Sequence, residues 1–273
     1  MKVHYVCPYY SWKKYNDLNG YISDNVLRRA YSTARRLIYL VKGWSPGPSF
    51  PKRLQGTSSK KHNIEKGEKG IYDYFAEYIW QELASTLFSG GRKFLVPIPP
   101  SSKLAGQTFN RRVNCYPALE LCEALERLPD SDVVVCDVLW WRSKVDKSYG
   151  GTGRQSTLDR LKNLTINGPF VNAVDYIVVD DVLTTGAAMK AVAAYMETVG
   201  GIPSDLIQGL TVGRTMSFYG SHMDDYYREH YSGCETLSVQ AGELAQQVPN
   251  LSTEQQRHDK LHEALMESLR GGK

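Results

Sequence analysis

No C-x-x-C pair occurs in this sequence. Its five cysteines, Cys7, Cys115, Cys122, Cys136 and Cys234, stand apart and are odd in number. That spacing excludes a zinc ribbon and a disulfide scaffold and leaves reduced, mostly packed thiols of the kind a cytoplasmic protein carries. Long uncharged apolar runs are missing as well, since none approaches the ~20 residues of a membrane span. The opening MKVHYVCPYYSWKKYND has no apolar core like that of a signal peptide. The expectation is a soluble, cytoplasmic protein with no membrane contact. A Walker A loop is excluded because no G-x-x-x-x-G-K-[ST] is present, and no G-x-G-x-x-G follows a strand-like segment, which excludes the dinucleotide fingerprint. Charge of one sign is not gathered anywhere: 33 basic and 29 acidic residues give a net +4. Such a balance allows an anionic small ligand or a weak nucleic-acid contact and demands neither. The six histidines form no metal spacing except His258 and His262, four apart on a helical pattern and read as solvent-facing.

What the chain does contain is an alternation of strand-like and helix-like text. VLRRAYSTARRLIYLV places Val26, Leu27, Tyr31, Ala34, Ile38 and Val41 at helical spacing with a basic opposite face. That face reads as solvated, and it is also where a nucleic acid or a protein partner would meet the N-terminal segment. WSPGPSFPKRLQGTSSKKHNIEKGEKG, dense in Pro, Gly, Ser and Lys, reads as a linker. IYDYFAEYIWQELASTLF is an amphipathic helix stopped by Ser89-Gly90-Gly91. KFLVP, DVVVCDVLWW, YIVVDD and DLIQGLTVGRT read as strands, with NCYPALELCEALERL and TTGAAMKAVAAYMETVGG as helices between them. Apolar strands alternating with helices imply an α/β fold, a parallel twisted sheet flanked by helices. The tail LSTEQQRHDKLHEALMESLRGGK reads as a closing helix packed on the domain or on a partner chain. The expected division is a mainly helical N-terminal segment and linker over 1–69, an α/β domain over 70–235 and a helical tail over 236–273.

YIVVDDVLTTGAAMK, residues 176–190, carries the chemistry. Asp180 and Asp181 fall at the carboxyl end of a buried strand, where open α/β sheets bind ligands. Two neighbouring carboxylates there repel each other unless hydroxyl donors or a cation meet them. Thr184, Thr185, Gly186, Ala187 and Ala188 then lead into a helix, so hydroxyls, backbone N–H groups and a helix N-terminus form a phosphate cradle. Acids for a diol followed at once by amides for a phosphate describe a site for a ribose carrying a 5-phosphate. Tyr72, Tyr74, Tyr78, Trp80, Trp140 and Trp141 read as packing aromatics that can also stack a base. DDYYREHY, 224–231, is read as lining the acceptor end of the cleft.

YIVVDDVLTTGAA resembles the phosphoribosyl pyrophosphate (PRPP) motif of the type I phosphoribosyltransferases. The order VPIPPSSKLAGQTFNRR, QSTLDRLKNL and then that motif resembles the ComF-like, competence-associated branch of the family, over about residues 94–214. The resemblance implies the type I phosphoribosyltransferase fold with a hood, and a transferase (glycosyltransferase) that moves phosphoribose from PRPP to an acceptor and releases pyrophosphate. It makes Asp180 and Asp181 the catalytic acids, binding the ribose hydroxyls and Mg2+ directly or through PRPP. Residues Thr184 to Ala188 would hold the 5-phosphate. Pro100, Ser101, Ser102, Lys103 and Arg111 would receive pyrophosphate. Arg142, Lys144, Lys147 and Arg154 would belong to a mobile hood loop, and a homodimer is common among such proteins. Three departures stand out. Ala188 replaces a usual Thr or Ser, Gln107-Thr108 replaces the usual arginine-glycine, and the four-cysteine ribbon that opens many ComF-like chains is absent. Two other functions fit the same resemblance: a non-catalytic sensor of PRPP or nucleotide, or DNA-uptake accessory protein, and a retron-type antiviral defence effector or toxin.

Overall fold

The structure is a computed structural model, and it describes residues 1–9, 37–42, 69–111, 114–145, 155–171, 175–215 and 233–271. The strands are β1 (Lys2–Tyr9), β2 (Lys93–Pro97), β3 (Val133–Val135), β4 (Leu139–Trp141), β5 (Leu164–Ile166), β6 (Asp175–Leu183), β7 (Ile207–Thr215) and β8 (Gly233–Thr236). The helices are α1 (Lys69–Leu83), α2 (Pro117–Glu126), α3 (Thr157–Asn163), α4 (Ala187–Thr198), α5 (Ala241–Gln246) and α6 (Leu251–Gly271), with a further helical stretch at 37–41. Six strands form one sheet in the order β3-β2-β6-β7-β1-β8, all parallel except the edge strand β8, while β4 and β5 pair separately. The protein is therefore α/β, with a mostly parallel sheet flanked by helices.

Two apolar clusters cover the sheet. One joins the 37–41 stretch, α1 and α2 to Ile177, Val179, Leu210 and Val212. The other joins α3, α4 and the start of α6 to Tyr176 and Val178. Strand β6 lies between them, and its run Tyr176 to Val179 is fully shielded from solvent, which its unbroken apolar text requires. Local signals set the helix starts: Pro117 opens α2, and Ser156 with Asp159 forms a capping box for α3, each side chain meeting the other's backbone N–H at 3.1 Å.

The structure differs from the sequence reading at several points. Lys2–Tyr9 is a strand inserted between β7 and β8, so the first residues belong to the main sheet and not to a separate helical segment. Val3, Tyr5, Val6 and Cys7 are all buried there, and a β-rich run covered on both faces shows no clean period of two. DVVVCDVLWW breaks into β3 and β4 at Cys136-Asp137, because the Asp137 carboxylate turns to Lys103 Nζ at 2.5 Å and to the Tyr116 hydroxyl at 2.9 Å. His258 is buried, not solvent-facing: its Nε2 accepts the Phe170 N–H at 3.2 Å. Tyr72, Tyr78 and Trp141 are buried core residues and so do not offer a stacking face. Cys7, Cys122 and Cys136 are buried free thiols, as the reading expects, and Cys115 and Cys234 are exposed and free. Among the described residues no helix is long and apolar enough to cross a membrane. DDYYREHY and the basic face of 26–36 lie outside the described residues.

The tail helix is held by a buried carboxylate. Glu254 on α6 accepts hydrogen bonds from the Tyr195 hydroxyl at 2.7 Å and the Thr165 hydroxyl at 3.0 Å, and it pairs with Arg142. Those donors hold its pKa below the ordinary glutamate value of 4.5 against the effect of burial, so its contribution to stability is present above that value and fades as pH falls through the lowered one. Glu254→Ala, which strands three donors, is expected to destabilise the fold by about 2–3 kcal/mol at pH 7. Urea denaturation checks this, and the difference between the proteins should narrow under acid.

Candidate functional site

Strand β6 ends beside β2 and β7, and three loops converge on that edge. Asp180 pairs in register with Thr211 of β7, and Pro97 of β2 with Val179. Successive strand residues point to opposite faces, so the two acids part. Asp181 meets Lys42, just after the 37–41 stretch, at 3.3 Å. Asp180 has the Arg160 guanidinium of α3 within electrostatic range. Each carboxylate also folds back on the backbone: Asp180 accepts the Asp181 N–H at 2.9 Å, and Asp181 accepts that of Val182 at 2.7 Å. Burial nevertheless raises the Asp180 carboxyl well above the carboxylate range, and the charge of Asp181 adds to the shift, while the Asp181 N–H, Lys42 and Arg160 oppose it.

The loop after β6 places Thr184 and Thr185 in solvent and turns at Gly186, whose φ of 73° is left-handed. A Cβ there would lie 2.7 Å from Leu237 Cδ1, so glycine is required by space as well as by conformation. The N-cap Gly186 has no side chain to cap α4, the Ala187 N–H meets Thr185 Oγ1 only at 3.4 Å, and no acid stands in the first turn. The start of the helix is thus open to an anion. Arg214 at the end of β7 fixes the loop from behind. Its Nη1 donates to Thr184 O at 2.8 Å and Thr215 O at 2.7 Å, while Glu235 of β8 holds the guanidinium through Nε and Nη2. Arg214 and Glu235 were not foreseen from sequence, because nothing in a strand's own text shows which carbonyl its last residue will reach.

The turn after β2 adjoins the acids, since Ile98 N–H donates to Val179 O at 2.9 Å. Trp141 clamps it, donating its ring N–H to Pro99 O at 2.8 Å and its backbone N–H to Lys103 O at 3.0 Å. Pro100 and Ser101 are half-buried and Ser102 is exposed on that turn. Lys103 and Arg111, expected as cations here, are engaged elsewhere. Lys103 is 2% exposed, pairs with Asp137 and lies over the Tyr116 and Trp140 rings. Arg111 is forked between Glu120 and Glu123 at 2.6 and 2.7 Å.

Of the hood residues, Arg142 is anchored by Leu164 O at 3.2 Å and by Glu254, and Lys144 is exposed. Lys147 and Arg154 lie outside the described residues. Asn163, the last residue of α3, latches the base of this region. Its Oδ1 accepts from Ser143 N and Oγ at 2.8 and 3.0 Å, and its Nδ2 donates to Ser143 O at 2.8 Å. A shallow open depression of about 360 Å³ lies beside it, lined by Arg142, Ser143, Gln155, Asp159, Lys162 and Asn163.

The structure thus brings Asp180, Asp181, the 184–188 loop and the 100–102 turn to one edge of the sheet. It turns Lys103, Arg111 and Arg142 into internal contacts. No protein-family model matches the chain, and no curated protein matches it in sequence.

Ionising Asp180 opposes folding, because its folded pKa is raised above the ordinary 3.8. The penalty is absent below that value and complete above the raised one. Asp180→Asn should therefore melt a few degrees higher than the wild type at pH 9, with the gain gone by pH 4. Melting curves at the two pH values check this, and a gain of equal size at both would contradict it.

Proposed function

We propose that the chain binds a phosphorylated ribose at the carboxyl edge of its sheet. Within that class, our reading is a PRPP-binding, type I phosphoribosyltransferase-like protein of the cytoplasm. The observation that carries the reading is a single strand-loop-helix unit: two acids at the end of β6, then a left-handed Gly186, then an acid-free start to α4 whose N-cap has no side chain. A sugar diol suits the acids and a 5-phosphate suits the loop amides and hydroxyls of Thr184 to Ala188.

In the reaction so read, the C1–O bond to pyrophosphate breaks, the departing oxygen keeps the electron pair, and a nucleophile of the acceptor bonds to C1. Asp180 and Asp181 stabilise the positive charge that develops on the sugar ring, and the loop fixes the ring's far end. The two acids are also where Mg2+ would be held. No group of three or more His, Cys, Asp and Glu side chains among the described residues forms a metal cage. The two carboxylates face apart, and Lys42 already neutralises Asp181. Such a donor set suits an ion that shares its coordination with the ligand's oxygens. Bound in that way, Mg2+ supplies positive charge to the pyrophosphate oxygens.

A non-catalytic sensor of the same ligand is the second reading. It is favoured by the commitment of Lys103 and Arg111 to internal carboxylates, which removes two cations from the leaving group. Calorimetry with PRPP and Mg2+ tests what the two readings share. The wild type is expected to bind, and Asp180→Asn/Asp181→Asn to lose at least about tenfold in affinity. A wild type that does not bind, or a variant that binds as well, would defeat both. Release of pyrophosphate in the presence of a panel of nucleobases separates them: turnover identifies the transferase, and binding without turnover identifies the sensor.

A further inference from the structure

Arg160 sits on α3, which packs against α4, the helix that opens at the phosphate loop. Its guanidinium lies within electrostatic range of the Asp180 carboxylate and favours the ionised acid. Yet among the described residues it makes no hydrogen bond or ion pair, and its Nε is shielded from solvent with no partner. Thr211 is the neighbour of Asp180 on β7. It lies opposite Asp180 in the β6–β7 register, is fully buried, and its Oγ1 also has no partner. Buried polar groups are nearly always hydrogen-bonded. Two unsatisfied ones near one carboxylate, from different elements, mark a place where a third party completes the bonding.

The geometry narrows what that party is. A guanidinium and a carboxylate within electrostatic range that close no ion pair suit a group that donates to the acid and accepts from the arginine. A sugar hydroxyl next to an anionic ester does both. Lys103 and Arg111 are paired with other carboxylates and Lys42 with Asp181, so Arg160 is the described cation within electrostatic range of Asp180 that lacks an ion-pair partner. The phosphate at the other end of the ligand already has the loop amides. We propose that Arg160 is a binding residue for the pyrophosphate substituent of the sugar, donating Nε–H and Nη–H to its oxygens while Asp180 takes the adjacent hydroxyl. This rests on the phosphoribosyl reading above and adds to it the residue that receives the leaving group.

The test uses two probes on the full chain: pyrophosphate with Mg2+, and ribose 5-phosphate. The wild type is expected to bind both. Arg160→Gln should weaken pyrophosphate by at least about tenfold while changing ribose 5-phosphate by less than about twofold. Arg160→Lys keeps the charge but not the planar fork, and should fold and lose several-fold for pyrophosphate alone. It is measured in place of the Gln variant should that one fail to fold. A wild type that binds neither probe defeats the phosphoribosyl reading itself. A wild type that binds both, with Arg160 variants that bind pyrophosphate unchanged or lose both probes equally, defeats the role of Arg160 alone.

Discussion

The structure depends on holding two carboxylates at adjacent positions where β6 leaves the core. A buried strand end is a poor solvent for charge, and a second charge one residue away makes it poorer. The strand's own geometry supplies the first relief by sending Asp180 and Asp181 to opposite faces. Each face then supplies a cation from a different element: Lys42 from beyond the 37–41 stretch and Arg160 from α3. The relief is incomplete for Asp180, whose carboxyl remains raised. An arrangement selected for stability alone would place an apolar or singly charged residue there. A carboxyl raised by burial beside a second acid at a strand terminus marks a candidate functional site.

The loop that follows is braced by parts of the chain far from it in sequence. Arg214 reaches back from β7 to the Thr184 carbonyl, and Glu235 on β8 holds Arg214 in turn. Leu237 fills the space against Gly186 where a Cβ would stand. The same Leu237 exchanges hydrogen bonds with Met1, its N–H donating to Met1 O at 2.9 Å and its carbonyl accepting from the Met1 amine at 3.2 Å. Strands β1 and β8, with Leu237, therefore form the back wall of the 184–188 loop, which is braced by residues far from it in sequence.

This shows why the central elements were legible in sequence and the edges were not. β2, β6, β7, α2 and α4 carry their own periodicity and stops, and the acids and the glycine of 176–190 read directly as a strand end and a turn. β1 did not, because a strand covered on both faces loses the alternation that would identify it. β8 is four residues long, too short for any pattern. The division of 133–141 into two strands depends on Asp137 finding Lys103 and Tyr116, contacts made across the fold. Residue type also misled at the cations. Lys103 and Arg111 stand in the right stretch for a ligand, but side-chain direction there is decided by Asp137, Glu120 and Glu123.

The distribution of positive charge bears on what the site can do. Around the sheet edge, Lys103, Arg111, Arg142 and Arg214 are each locked to a carboxylate, and these pairs shape the turn, α2, the hood base and the phosphate loop. Their charge is neutralised locally and contributes little field at the cleft. Among the described groups near Asp180, the amides at the start of α4 and the guanidinium of Arg160 have no such partner and are free to attract an anionic ligand. Both lie on the Asp180 side of the sheet. On the proposed phosphoribosyl reading, a ligand drawn to that side would be oriented before it meets the acids, with its two negative ends separated by the sugar. Orientation of this kind follows from where the fold has left its positive groups unpaired, and it depends very little on their number.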